Sequence, residues 1–183
     1  MKSLNLINFV KQHINLFGQE NTVIIDATCG NGNDTELLSK EYPSSLVYSF
    51  DIQQVALDKA KVRCSNTNIN YILDSHSNIK DYVQSNVSLV VFNLGYLPNE
   101  DRTITTQFNS TKLAIESSLD ILNYEGGIII TLYRGEENID ETNSLLEYFS
   151  TINKDKYIVS SYQHINLKDN PLVIIIEKKF KEQ

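Results

Sequence analysis

Apolar residues along this chain fall into two alternating rhythms. Leu4, Ile7, Val10, Ile14 and Phe17 recur at three- and four-residue spacing, which predicts an amphipathic helix over Leu4–Phe17 closed by Gly18. Val23-Ile24-Ile25 is a short, continuous apolar run and predicts a buried strand. The same two patterns then repeat. Helices are predicted over Thr35–Lys40 (broken by Pro43), Val55–Arg63, Ile79–Gln84, Thr111–Leu122 and Asp140–Phe149. Strands are predicted over Leu46–Phe50, Asn70–Leu73, Val87–Phe92, Gly127–Leu132, Tyr157–Tyr162 and Leu172–Ile176.

Alternation of strand and helix implies an α/β, doubly wound, mostly parallel sheet of seven strands. Runs such as Ile128-Ile129-Ile130 carry no polar face, so that sheet should be covered on both sides. The last two strands have no helix between them and should form an antiparallel ribbon, with the final strand antiparallel to the rest. No internal repeat or low-complexity tract interrupts the pattern. One domain over residues 1–183, opening with a helix over about 4–17, is expected.

Composition narrows this picture by exclusion. The chain has 183 residues, with 41% apolar and 21% charged, ordinary values for a globular domain. No stretch approaches the roughly 20 apolar residues of a membrane helix, and the N-terminus lacks the pattern of a secretory signal. A cytoplasmic protein without a membrane partner is expected. Cys29 and Cys64 are isolated, and the three histidines form no HExxH-like cluster, so no metal site is expected. A net charge of −7 argues against a broadly basic nucleic-acid surface, while leaving room for a local basic rim.

Candidate chemistry begins where the first strand ends, at Asp26-Ala27-Thr28-Cys29-Gly30-Asn31-Gly32-Asn33-Asp34. Gly30 and Gly32 permit close ligand approach, and the loop falls at the carboxyl edge of the sheet, where open α/β sheets bind ligands. Asp51 ends the second strand, where an acidic residue takes ribose hydroxyls in dinucleotide folds. A pyrophosphate would be repelled by Asp26 and Asp34, and the third glycine of GxGxxG is missing. A sulfonium and an α-amino group are positive and would be stabilised by the same carboxylates, so the charge pattern favours S-adenosylmethionine over NAD. Asp26, Gly30, Asn31, Gly32, Asn33, Asp51 and Gln53 are the candidate cofactor contacts, joined by Ser75 and His76 after the third strand, at the adenine.

The fourth strand runs into Asn93-Leu94-Gly95-Tyr96-Leu97-Pro98. Its Asn-x-x-Tyr spacing resembles the Asn-Pro-Pro-Tyr motif of amino-methylating enzymes. In these enzymes the asparagine carbonyl and a main-chain carbonyl accept hydrogen bonds from the target amine, and the aromatic ring packs nearby. Asn93 and Tyr96 are therefore the candidate catalytic residues, acting by positioning. An aliphatic amine would arrive protonated, and no histidine lies in this motif to act as base. Arg102, Thr106, Tyr133 and Arg134 follow strand ends on the same edge and are candidate substrate contacts, the arginines suiting phosphate.

Asp26–Thr35, Phe50–Gln53, Asp74–Ser77 and Phe92–Pro98, taken in order, resemble the YtqB-type rRNA methylase family of class I S-adenosylmethionine-dependent methyltransferases. The resemblance spans nearly the whole chain. It implies the class I sheet of five strand-helix steps and a closing strand pair. It further implies methylation of 5-aminomethyl-2-thiouridine at the tRNA wobble position, with the anticodon region as partner. The chain departs from the family pattern at Asn99-Glu100 (usually Gly-Gly), at Tyr133-Arg134-Gly135-Glu136 (usually Tyr-Pro-Gly-His) and at Asn166-Leu167…Asn170-Pro171. These departures lie on the substrate side. A small-molecule amine methyltransferase, a non-catalytic S-adenosylmethionine-binding protein and an NAD-linked protein stay open as alternatives. A symmetric homodimer would widen the RNA surface of so short a chain.

Overall fold

The structure is a computed structural model and describes residues 6–94, 107–133, 139–167 and 170–180. Its elements are α1 (Leu6–Phe17), β1 (Val23–Asp26), α2 (Asn33–Glu41), β2 (Leu46–Asp51), α3 (Gln54–Arg63), β3 (Ile69–Leu73), a 3-10 turn (His76–Asn78), α4 (Ile79–Tyr82), β4 (Val87–Leu94), α5 (Phe108–Ile121), β5 (Leu122–Leu132), α6 (Ile139–Thr151), β6 (Tyr157–Tyr162) and β7 (Leu172–Lys178). The seven strands form one sheet in the order β3-β2-β1-β4-β5-β7-β6. Neighbours from β3 to β5 pair in parallel, whereas β7 runs antiparallel to both β5 and β6. This is the predicted doubly wound sheet, with the ribbon inserted so that β7 separates β5 from β6.

Side-chain alternation divides the core between the two faces. Ile25, Val90, Phe92, Ile128 and Ile130 pack with Ile79 of α4, Ala114 and Ile115 of α5, and Leu145 and Phe149 of α6. Their strand neighbours Ile24, Leu89, Val91 and Ile129 turn the other way, onto Ile14 and Phe17 of α1 and Leu38 of α2. Gly127 is where α1 crosses the sheet: a Cβ there would clash with the Phe17 ring. Among the described residues, no helix is long and apolar enough to cross a membrane.

Differences from the predicted elements sit at their ends. Leu122 leaves the predicted helix and opens β5, which pairs Leu122 with Val87 and then slips register before Gly127 meets Leu89. The slip accommodates Glu125 at φ 63°. The predicted helix from Ile79 stops at Tyr82, because Val83 is already extended. Leu4 lies outside the described residues.

Candidate active site

The carboxyl ends of β1 to β5 share one edge of the sheet, and the glycine loop is stitched into it. Ala27 N–H donates to the Val91 carbonyl (2.9 Å) and Cys29 N–H to that of Phe50 (2.8 Å), so the loop bridges β4 and β2. Gly30 N–H donates to Asp51 Oδ2 and Gln53 N–H to Asp51 Oδ1, each at 2.9 Å. The Arg63 Nε–H donates to the Asn31 carbonyl (2.8 Å). Gly32 has φ 78°, and a Cβ on it would stand 2.8 Å from the Ala60 backbone of α3, so only glycine closes this turn without displacing a helix. Asn31 and Gln53 are partly exposed and Asn33 is exposed, on the same rim.

Asp26 lies beneath the loop rather than on it. It is fully buried, its Oδ1 accepts from Thr28 N–H (3.1 Å), and its Oδ2 accepts from the Thr35 hydroxyl (2.5 Å). Thr35 in turn meets Ser49 of β2 at 2.7 Å. Burial, together with the nearby charge of Asp34, pushes the Asp26 carboxyl up to about 7 despite these hydrogen bonds. Burial likewise raises Asp34 and Asp51 above the usual carboxylate range. None of these three carboxylates forms an ion pair with a described residue. Among the described residues, the site is thus short of positive charge.

His76 turns inward. Its ring hydrogen-bonds to the Ala27 backbone and meets Phe92 edge-on (centroids 5.9 Å apart), and burial lowers its pKa. Its Nε2 is buried without a partner. Ser75 accepts from both the N–H (3.2 Å) and the hydroxyl (2.8 Å) of Ser77, which closes the 3-10 turn. The turn is pinned through Asp74, which accepts from Tyr82, Asn78 and Ser75.

At the end of β4, Asn93 N–H donates to the Thr28 hydroxyl (2.7 Å), and Asn93 Nδ2 donates to Asp34 Oδ2 (3.3 Å). Tyr133, following β5, is held by a hydrogen bond from its N–H to the Leu94 carbonyl (3.3 Å), and its phenol lies beside the Asn93 side chain. Burial and the charge of Asp34 push that phenol up. Asp34, Asn93 and Tyr133 therefore form one polar group between the glycine loop and the substrate edge. Tyr96, Arg102, Thr106 and Arg134 lie outside the described residues.

The sequence singled out residues that lie on this rim but not the residues that support them. Thr28, which ties the loop to Asn93, and Thr35 with Ser49, which hold Asp26, were not singled out. Only the loop's Ser/Thr content hinted at them. The edge fits S-adenosylmethionine on observations of its own: buried carboxylates without an ion partner suit a sulfonium and an ammonium, and the unpartnered His76 Nε2 suits a base edge.

The chain is similar to several known proteins. Residues 47–178 match the model of the family described as "Putative rRNA methylase". A chloroplastic tRNA (mnm(5)s(2)U34)-methyltransferase of Arabidopsis thaliana is 30% identical, over 88% of this chain and 65% of its own length. The chain thus spans somewhat less than two thirds of that relative. A putative rRNA-methylase from Clostridium thermocellum superposes with a TM-score of 0.92 at 31% identity, over 97% of this chain and 100% of that one. A putative methyltransferase from Streptococcus mutans, solved in complex with SAH, has a TM-score of 0.86 at 32% identity, over 95% and 98%. The chain belongs to the Putative rRNA methylase family, S-adenosylmethionine-dependent methyltransferases of the class I fold.

Proposed function

We propose that this protein methylates the exocyclic amine of 5-aminomethyl-(2-thio)uridine at the wobble position of tRNA. The observation that carries the reading is the Asn93 side chain, held at the end of β4 by Asp34 with Tyr133 beside it. A carboxylate only accepts, so the amide presents its Nδ2 to Asp34 and directs its carbonyl oxygen elsewhere, as an acceptor for an incoming N–H. Bound S-adenosylmethionine supplies the electrophilic methyl carbon. The protein's part is to hold the nitrogen in line with it and keep its lone pair aimed, an orientation effect. The identity to a tRNA wobble methyltransferase supports an RNA rather than a free amine as substrate.

In this reading Asp51, Gln53, Asn31, Asn33, Ser75 and His76 contact the cofactor along the loop rim, Asp26 acts on it by charge from beneath, and Gly30 and Gly32 admit it. Tyr96 is proposed as the aromatic partner of the target nitrogen, on the resemblance of Asn93–Tyr96 to the amino-methylating motif. Arg102, Thr106, Tyr133 and Arg134 meet the nucleotide. The protein works as one domain in the cytoplasm, and a homodimer supplies the RNA surface that a chain of net charge −7 lacks alone. Sedimentation at micromolar concentration should then give a dimer, and a monomer throughout would remove that element.

Labelled methyl transfer into tRNA carrying 5-aminomethyl-2-thiouridine, set beside free aliphatic amines, tests the substrate. Label should enter the tRNA alone. Transfer to free amines with none to the tRNA would replace this reading with the small-molecule one, which the acidic net charge favours.

A further inference from the structure

The amine that this site is proposed to methylate has a proton to lose first. If it titrates like a lysine side chain, under about one part in a thousand is neutral at pH 7. We propose that Asp34 takes that proton. This role rests on the amine reading of the site and adds to it the group that makes the nitrogen nucleophilic.

The assignment follows from how the other described groups of the edge are used. Asp26 is fully buried, and both its oxygens are occupied by Thr28 and Thr35. Asp51 spends one oxygen on Gly30 N–H and the other on Gln53 N–H. His76 turns inward against the Ala27 backbone and the Phe92 ring, and its unpartnered Nε2 is buried. The Tyr133 phenol is raised above its ordinary value by burial and by Asp34 itself, so it stays protonated. Asp34 is partly exposed, and its one described hydrogen bond comes from Asn93, the residue proposed to bind the amine. A nitrogen hydrogen-bonded to the Asn93 carbonyl is therefore within about one residue's reach of the Asp34 carboxylate.

Burial makes Asp34 a stronger base than a surface aspartate, against the opposing effect of the hydrogen bond from Asn93. Asn93 from β4 donates to it, Tyr133 after β5 and Asp26 from β1 stand nearby, and none of them is cationic. On its own helix, Glu36 is engaged by Lys40 (2.6 Å) and Arg63 (3.6 Å). Burial raises the Asp34 pKa, which brings it closer to that of the ammonium it must deprotonate. In the step, one N–H bond of the ammonium breaks, its electron pair stays on nitrogen as the lone pair, and the proton is held on an Asp34 oxygen until solvent removes it.

The test is the pH profile of methyl transfer to tRNA bearing 5-aminomethyl-2-thiouridine, from pH 6 to 10, for the wild type and Asp34→Asn. The variant should be slower by on the order of 100-fold at pH 7. That deficit should shrink by up to about tenfold per pH unit as the amine becomes neutral unaided. Rates are compared at saturating S-adenosylmethionine, so that weaker cofactor binding on loss of the Asp34 charge does not enter the profile, and Asp34→Glu should recover part of the rate with the wild-type profile. A deficit constant across pH, or one confined to cofactor affinity, overturns the role while leaving the amine reading intact. A wild type inactive on this tRNA overturns both.

Discussion

Asn93 serves the site through its main chain and its side chain at once: the N–H is spent on Thr28, and the amide reaches Asp34 and Tyr133. Asn93→Ala keeps the first link and removes the second. Turnover should fall on the order of 100-fold while cofactor affinity measured by calorimetry changes little; unchanged turnover would mean the amine binds elsewhere. Asp26 gives a prediction of another kind. In the unfolded chain its carboxyl ionises near 3.8, and in the folded chain near 7. Its contribution to stability is therefore full below pH 3.8 and is lost as pH rises through about 7. Urea midpoints at pH 5 and pH 8 should differ in that direction for the wild type without cofactor, and Asp26→Asn should reduce the difference; an equal pH dependence in both would refute the buried charge. The acidity of Asp26, Asp34 and Asp51 was legible in the sequence, and it pointed to a cationic ligand. The burial of Asp26 was not, because Thr35 and Ser49 lie nine and 23 residues away and meet it only once β1, α2 and β2 are assembled.

Helices and strands were legible wherever apolar spacing is regular, as in α1 and in Ile128–Ile130. Their ends were less so, since hydrogen bonding to a neighbour decides them. Leu122 reads as the last turn of a helix, yet its pairing with Val87 draws it into β5. Nothing local marks His76–Asn78 as a 3-10 turn, which depends on Ser75 accepting from Ser77. Contact between elements yields the sharpest stability test. Gly127 has no unusual φ, so the sequence offers no local reason for it, but α1 leaves no room for a side chain there. Gly127→Ala should cost about 1–3 kcal/mol in chemical denaturation. A Phe17→Ala background should relieve much of that cost, since the two changes share one contact. A full cost in both backgrounds would place the strain elsewhere.

At the scale of the molecule, the sheet order places every functional strand end on one edge, with the antiparallel β7 continuing the sheet beyond β5. Alternation of elements was enough to predict that class of sheet, and the four ordered motifs were enough to suggest the family. The proposed nucleotide-facing side was less legible, because the sequence departs from the family pattern at Asn99-Glu100 and at Tyr133-Arg134-Gly135-Glu136, and Tyr96, Arg102, Thr106 and Arg134 lie outside the described residues. A net charge of −7 means that any tRNA contact must be local and built from few cations, so binding should weaken only modestly with salt. The most direct measurement is mass spectrometry of wobble nucleosides in tRNA from cells lacking this protein. Loss of 5-methylaminomethyl-2-thiouridine with accumulation of the 5-aminomethyl precursor is the predicted result; wobble nucleosides unchanged from those of the parent cells would contradict it.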